Sequence, residues 1–144
     1  MTQPETTFPP LRRSPEAEPF WAGLERGELW YQRCACGPVW FPRFACPRCL
    51  STNLTWTQSE SRTGTLYSYS IVHHSAHPYW QPRAPFGVGI AALDEGIYLF
   101  GHVELAPAGD ASPDVRPAVP IGGRVRADVL TEDAPPRLIF RALT

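Results

Sequence analysis

From Gly64 onward the chain passes through five short segments rich in Val, Ile, Leu, Tyr and Phe: residues 64–74, 86–93, 97–104, 124–130 and 137–143. In the first, Leu66, Tyr67, Tyr69, Ile71 and Val72 nearly alternate with Thr65, Ser68 and Ser70. A period of two places successive side chains on opposite faces of a pleated backbone, so the pattern predicts strands with one buried face. Asp94-Glu95-Gly96 predicts a hairpin turn between the second and third strands. Ala106 to Gly123 holds Pro107, Pro113, Pro117 and Pro120 and predicts a long loop as the third connection. Gly87, Gly89 and Gly96 lack the strand-loop-helix setting of a phosphate-binding fingerprint and predict close strand packing and a turn. Five strands with a long third connection fit a partly open Greek-key barrel of the oligonucleotide/oligosaccharide-binding (OB) type.

The first half follows a different pattern. Residues 1–13, rich in Pro, Thr and Gln, show no apolar period and predict a flexible tail. Ser14, Pro15 and Glu16 form a helix-start signal, with a side-chain acceptor, a proline needing no amide bond and an acid in the first turn. The predicted helix runs to about Arg26 with Phe20, Trp21 and Leu24 on one stripe, and Gly27 stops it. Leu29, Trp30 and Tyr31 restart a short segment, which places a helical arm over 14–32. The arm's aromatics, Phe20, Trp21, Trp30 and Tyr31, either cover the barrel or leave it to grip a partner. A metal-binding ribbon is placed over 33–52, with Leu54 to Thr57 pairing with the start of the following domain, and the barrel over 53–144.

Composition narrows the choice of partners. A chain of 144 residues suits one modest core burying about 68–70% of its unfolded surface. The net charge of -1 provides no general attraction for nucleic acid or anionic membranes. All thirteen basic residues are arginine, a choice consistent with planar bidentate contacts or with a base-composition bias. There is no run of about 20 apolar residues and no signal-peptide pattern, so the cytoplasm is the expected compartment.

All four cysteines lie between 34 and 49. Such clustering is unlike a scattered disulfide framework and fits thiolates on zinc, two from each of two knuckles. Cys46-Pro47-Arg48-Cys49 has the usual two-residue gap, whereas Cys34-Ala35-Cys36-Gly37 is one residue short. That departure leaves open a distorted first knuckle, weak zinc binding, a metal-free site or a disulfide. Four protein ligands leave no open coordination position, so the zinc expected at Cys34, Cys36, Cys46 and Cys49 is structural.

Arg33, Arg43 and Arg48 flank the cysteines among Trp40, Phe41 and Phe44. They form either a solvated face that offsets thiolate charge or a grip on a phosphate-bearing ligand such as coenzyme A. His73 and His74, with His77 near Tyr79, Trp80 and Arg83, suggest a ligand-binding cluster or a strand end without function. His102 reads as structural, and no residue is singled out as catalytic.

Phe20-Trp21, Gly27-Glu28-Leu29, the Arg33 to Cys49 finger, Gly64-Thr65-Leu66-Tyr67-Ser68-Tyr69 and Ile121-Gly122 together resemble the DUF35 proteins over residues 16–143. The resemblance implies a helical arm, a rubredoxin-like zinc ribbon and an OB-fold barrel in that order. It also implies a non-catalytic accessory subunit of a thiolase-like enzyme in a hetero-oligomer. Such complexes perform acyl transfer, thiolysis or retro-aldol cleavage on acyl-CoA or related acyl substrates, with the catalytic cysteine and histidine in the partner. The alternative of different class is a single-stranded nucleic-acid binder built from ribbon and barrel, which the charge of -1 disfavours.

Overall fold

The computed structural model describes residues 8–10, 12–107, 114–131 and 135–143. The expectations for residues 1–7 and 11 of the tail and for 108–113 of the long loop lie outside these. A 3-10 turn, Pro15–Ala17, leads into helix α1, Glu18–Glu25. Ser14 caps the start, its hydroxyl accepting from the Ala17 amide. At the other end Gly27 adopts φ 75°, the left-handed conformation that glycine takes without steric cost. There the Gly27 amide donates to Leu24 and the Glu28 amide to Gly23, satisfying two orphan carbonyls in a Schellman closure.

The second part of the expected helical arm is instead a strand. Leu29–Cys34 (β1) pairs with Gly37–Val39 (β2) on one edge and with Thr55–Ser59 (β3) on the other. The left-handed turn at Gly27 redirects the chain, and two flanking strands satisfy the backbone of 29–34 that a two-turn helix would have left largely unpaired. The segment near Leu54 to Thr57 likewise pairs back onto β1, with Trp30 opposite Gln58 and Gln32 opposite Trp56, rather than with the barrel.

The five predicted strands are present: Thr63–Val72 (β4), Phe86–Leu93 (β5), Tyr98–Val103 (β6), Arg124–Leu130 (β7) and Arg137–Ala142 (β8). They close into a barrel in the order β4-β5-β6-β8-β7. The chain is therefore mainly β, with a helical arm, a four-cysteine ribbon and a five-stranded OB-fold barrel. All pairings are antiparallel except β6 with β8, and β4 completes the closure by pairing with β7. A register shift between Leu66 and Ser68 lets the long β4 bend between its two neighbours. Gly64 and Gly89 are needed for this closeness: a Cβ would lie 2.1 Å from the Ala92 carbonyl oxygen at the first and 2.3 Å from that of Ser68 at the second.

Leu24 of α1 and Leu29 and Tyr31 of β1 join Leu66, Val125 and Phe140 of the barrel in one core. Burying Leu24 contributes about 1.5–3 kcal/mol, enough to hold the helix on the barrel wall. Phe20 and Trp21 pack partly buried against the same core. Among the described residues no helix is long and apolar enough to cross a membrane.

Candidate metal centre

The four cysteine sulfurs lie within 4.8 Å of one another. Cys34 ends β1 directly opposite Gly37, so Ala35 and Cys36 form a two-residue hairpin loop. This explains how a one-residue gap still converges: the first thiol comes from a strand end and the second from the corner of the turn. In the second knuckle the Leu50 amide donates to the Cys46 carbonyl, and the Cys46 amide donates to Ser51. This closure holds Leu50 at φ 63°, in the position after the second cysteine where a glycine would be unstrained.

Cys34 Sγ lies 3.4 Å from Cys49 Sγ, and Cys36 Sγ lies 3.5 Å from Cys46 and 3.7 Å from Cys49. These separations are far beyond a covalent bond of about 2.05 Å. They are close to the edge of about 3.8 Å expected for a tetrahedron with metal–sulfur bonds of about 2.3 Å. The residues present therefore fit a tetrahedral metal ion.

Local electrostatics agree. The Cys49 and Arg48 amides point at the Cys46 thiol and hold it down to about 6, despite its burial. The Cys36 amide likewise lowers Cys34. Cys49 is pulled down by the Ser51 amide, yet its neighbouring cysteines and burial push it up to about 11. Four thiolates this close repel one another, and a divalent cation removes that repulsion.

Of the three arginines, Arg48 is committed to the ribbon itself: it donates to the Pro38 carbonyl at 2.7 Å and lies over the Trp40 ring at 5.6 Å. The Cys36 sulfur raises its pKa, so it offsets thiolate charge. Among the described residues Arg33 reaches only the Tyr31 hydroxyl at 3.4 Å, and the Arg43 side chain only the Trp40 carbonyl at the same distance. Trp40 packs edge-on against Tyr98, and Tyr98 against Tyr67, which carries the contact from ribbon to barrel.

His73 and His74 stand exposed beyond the end of β4, while His77 accepts the Tyr79 amide through Nδ1. Among the described residues no hydrogen bond or ring contact joins these histidines to the ribbon arginines. Tyr31 is buried, Phe20 and Trp21 are half-buried against the barrel core, and Trp30 is half-buried beside Gly23 of α1. Phe44 and Leu50 at the ribbon tip are 70% and 77% exposed, a pair of apolar groups that periodicity could not single out because they occupy irregular loops. Gln32 was also illegible: only folding shows it buried beneath the Arg43 backbone.

A family model described as the ChsH2 C-terminal OB-fold domain matches residues 56–130. A DUF35 domain-containing scaffold protein of Methanocaldococcus jannaschii is 34% identical over 73 residues, 49% of this chain and 51% of the relative. A probable enoyl-CoA hydratase alpha subunit of Thermomonospora curvata is 36% identical over 93 residues, 61% of this chain and 28% of the relative. The matched stretch thus spans about half of one curated relative and less of the other. Among solved structures, a chain of the Ltp2-ChsH2(DUF35) aldolase superposes with a TM-score of 0.69 at 28% identity, covering 90% of this chain and 95% of that one. A DUF35-family protein from Sulfolobus solfataricus has the same fold, with a TM-score of 0.57 at 17% identity over 89% of this chain and 87% of its own.

Proposed function

Because the chain belongs to the DUF35 family, through its ChsH2-type OB-fold domain, we propose that it is an accessory subunit that docks on a thiolase-fold enzyme. In that role it stabilises the enzyme and helps shape the channel taken by an acyl-CoA or related acyl substrate. The observation that carries this reading is the near end-to-end likeness to the DUF35 chain of the Ltp2-ChsH2 aldolase. The name of the M. jannaschii relative, a scaffold protein, points the same way.

Zinc is the proposed ion in the four-thiolate site, where soft sulfur donors and tetrahedral spacing suit it. When bound, it supplies charge neutralisation and a fixed node. Cys34 and Cys36 then anchor the β1–β2 hairpin to the loop carrying Cys46 and Cys49, which sets the direction of the ribbon tip. The proposed docking contacts are Phe44 and Leu50 at that tip together with the exposed parts of Phe20, Trp21 and Trp30; Tyr31 supports them from the core. Arg33 and Arg43 are the basic groups offered to a phosphate-bearing ligand, and His73 and His74 form a second polar edge.

Co-expression with a thiolase-like protein encoded beside this chain tests the reading. The expected result is co-elution as a complex and higher activity than the partner alone. Replacing Phe44 and Leu50 together with serine weakens association at least tenfold, as loss of exposed apolar anchors does at interfaces. A chain that neither co-elutes with nor activates the partner refutes the proposal.

A further inference from the structure

A second site lies away from the cysteines, on the barrel wall formed by β5, β6 and β8. A cavity of about 360 Å³ opens there between that wall and a roof made of Phe20 and Trp21 of α1, Trp80 and Phe8. Its size falls at the small end of ligand pockets. The lining is almost wholly aromatic and aliphatic, interrupted by two polar side chains, His102 and Arg137.

Those two side chains are arranged for an anion. Arg137 Nε donates to His102 Nε2 at 2.9 Å, so that nitrogen carries a lone pair and the imidazole is neutral. The Arg137 guanidinium lies 5.3 Å from the Phe8 ring centroid. Its Nη1 is buried without a hydrogen-bond partner. Among the described residues it forms no ion pair, since its one side-chain partner is an uncharged imidazole. A guanidinium that lines an apolar cavity with no carboxylate beside it among the described residues is a costly arrangement unless an anion completes it.

We infer that this cavity binds a small apolar monocarboxylate, with the carboxylate on the Arg137 guanidinium where it lines the cavity and the hydrocarbon or aryl body between Trp80, Trp21 and Val88. The donor geometry selects a charged oxygen acceptor, because a charge-assisted bond to guanidinium is roughly twice as strong as a neutral one. The scarcity of other polar groups excludes sugars and nucleotides, whose hydroxyls would be buried unsatisfied. The site shares Phe20 and Trp21 with the proposed docking surface, but it is read on the isolated chain and so survives or fails separately from the docking role.

The test uses the purified full chain, titrated with octanoate, octanamide and 1-octanol by calorimetry and by the fluorescence of the cavity tryptophans. Expected is one saturable octanoate site per chain, at least tenfold tighter than for octanamide. Arg137→Gln weakens octanoate about 10- to 100-fold, the range for a hydrogen bond to a charged group, and leaves 1-octanol unchanged. Val88→Trp, which fills the cavity, abolishes both. Octanoate no tighter than octanamide overturns the inference, as does full affinity in either variant. If Arg137→Gln does not fold, the acid-over-amide preference of the parent decides. A failure of octanoate to saturate also overturns it and assigns the cavity to a side chain of a protein partner.

Discussion

Gln32 and Arg43, eleven residues apart, pair as two backbone groups would: Gln32 Nε2 donates to the Arg43 carbonyl at 2.9 Å, and the Arg43 amide donates to Gln32 Oε1 at 2.8 Å. Gln32 is 5% exposed, so these bonds are shielded from water. They tie the irregular loop after β2 to the central strand of the ribbon.

Replacing Gln32 with leucine keeps the volume near but strands one donor and one acceptor. Each orphaned group costs about 1–3 kcal/mol, so the variant is expected to lose about 2 kcal/mol or more. Urea unfolding at unchanged slope measures this. An unchanged midpoint would mean that water replaces the side chain.

The four sulfurs predict one tightly held zinc per chain. Elemental analysis should find it in the parent and find much less in Cys46→Ser and Cys34→Ser, and a strong chelator should lower the melting temperature of the parent. Equal zinc in the parent and both variants would defeat the four-thiolate assignment.

Leu50 combines 77% exposure with a left-handed backbone, a conformation costing about 1–2 kcal/mol for a residue with a Cβ. Leu50→Gly relieves that strain but restores about 0.4–1 kcal/mol of unfolded-chain entropy, so stability rises by up to about 1.6 kcal/mol. The same change should weaken partner association. A variant both more stable and equally well bound would show that the exposed leucine has no docking role.

Burial, with the nearby Arg137 charge, lowers the pKa of His102 below its ordinary value. The unfolded chain therefore takes up this proton first as pH falls, so stability is complete above about pH 6.5 and declines below it until the folded-state pKa is passed. Melting the parent and His102→Gln between pH 7.5 and 5 should show a steeper loss in the parent. Parallel curves would place the histidine in ordinary contact with water.

Much of the barrel was legible because strand and turn chemistry are local: the run from Leu66 to Val72 lies in β4, although the register shift leaves Tyr67 and Tyr69 exposed, and Gly96 sits at φ 94° in the hairpin predicted at Asp94-Glu95-Gly96. The convergence of the four cysteines was legible from their spacing in the chain. The shortened Cys34-Ala35-Cys36 knuckle looked like a weakness because linear spacing does not show that Cys34 ends a strand and Cys36 occupies a turn corner. Leu29 to Tyr31 were misplaced in a helical arm because three apolar residues carry no decisive period, and the pairing partners that make them a strand lie as far away as Ser59.

By itself the sequence determined where the strands run, the helix stop at Gly27 and the clustering of the four cysteines, since each depends on the chemistry of neighbouring residues. Only the tertiary structure decided what stands opposite each face. His102 and Arg137 are 35 residues apart, and the parallel β6–β8 pairing sets His102 opposite Ile139, two positions from Arg137. Trp80 and Phe8 come from separate segments to cover that wall. Local pattern says where a strand runs, whereas barrel closure determines which distant groups share a space.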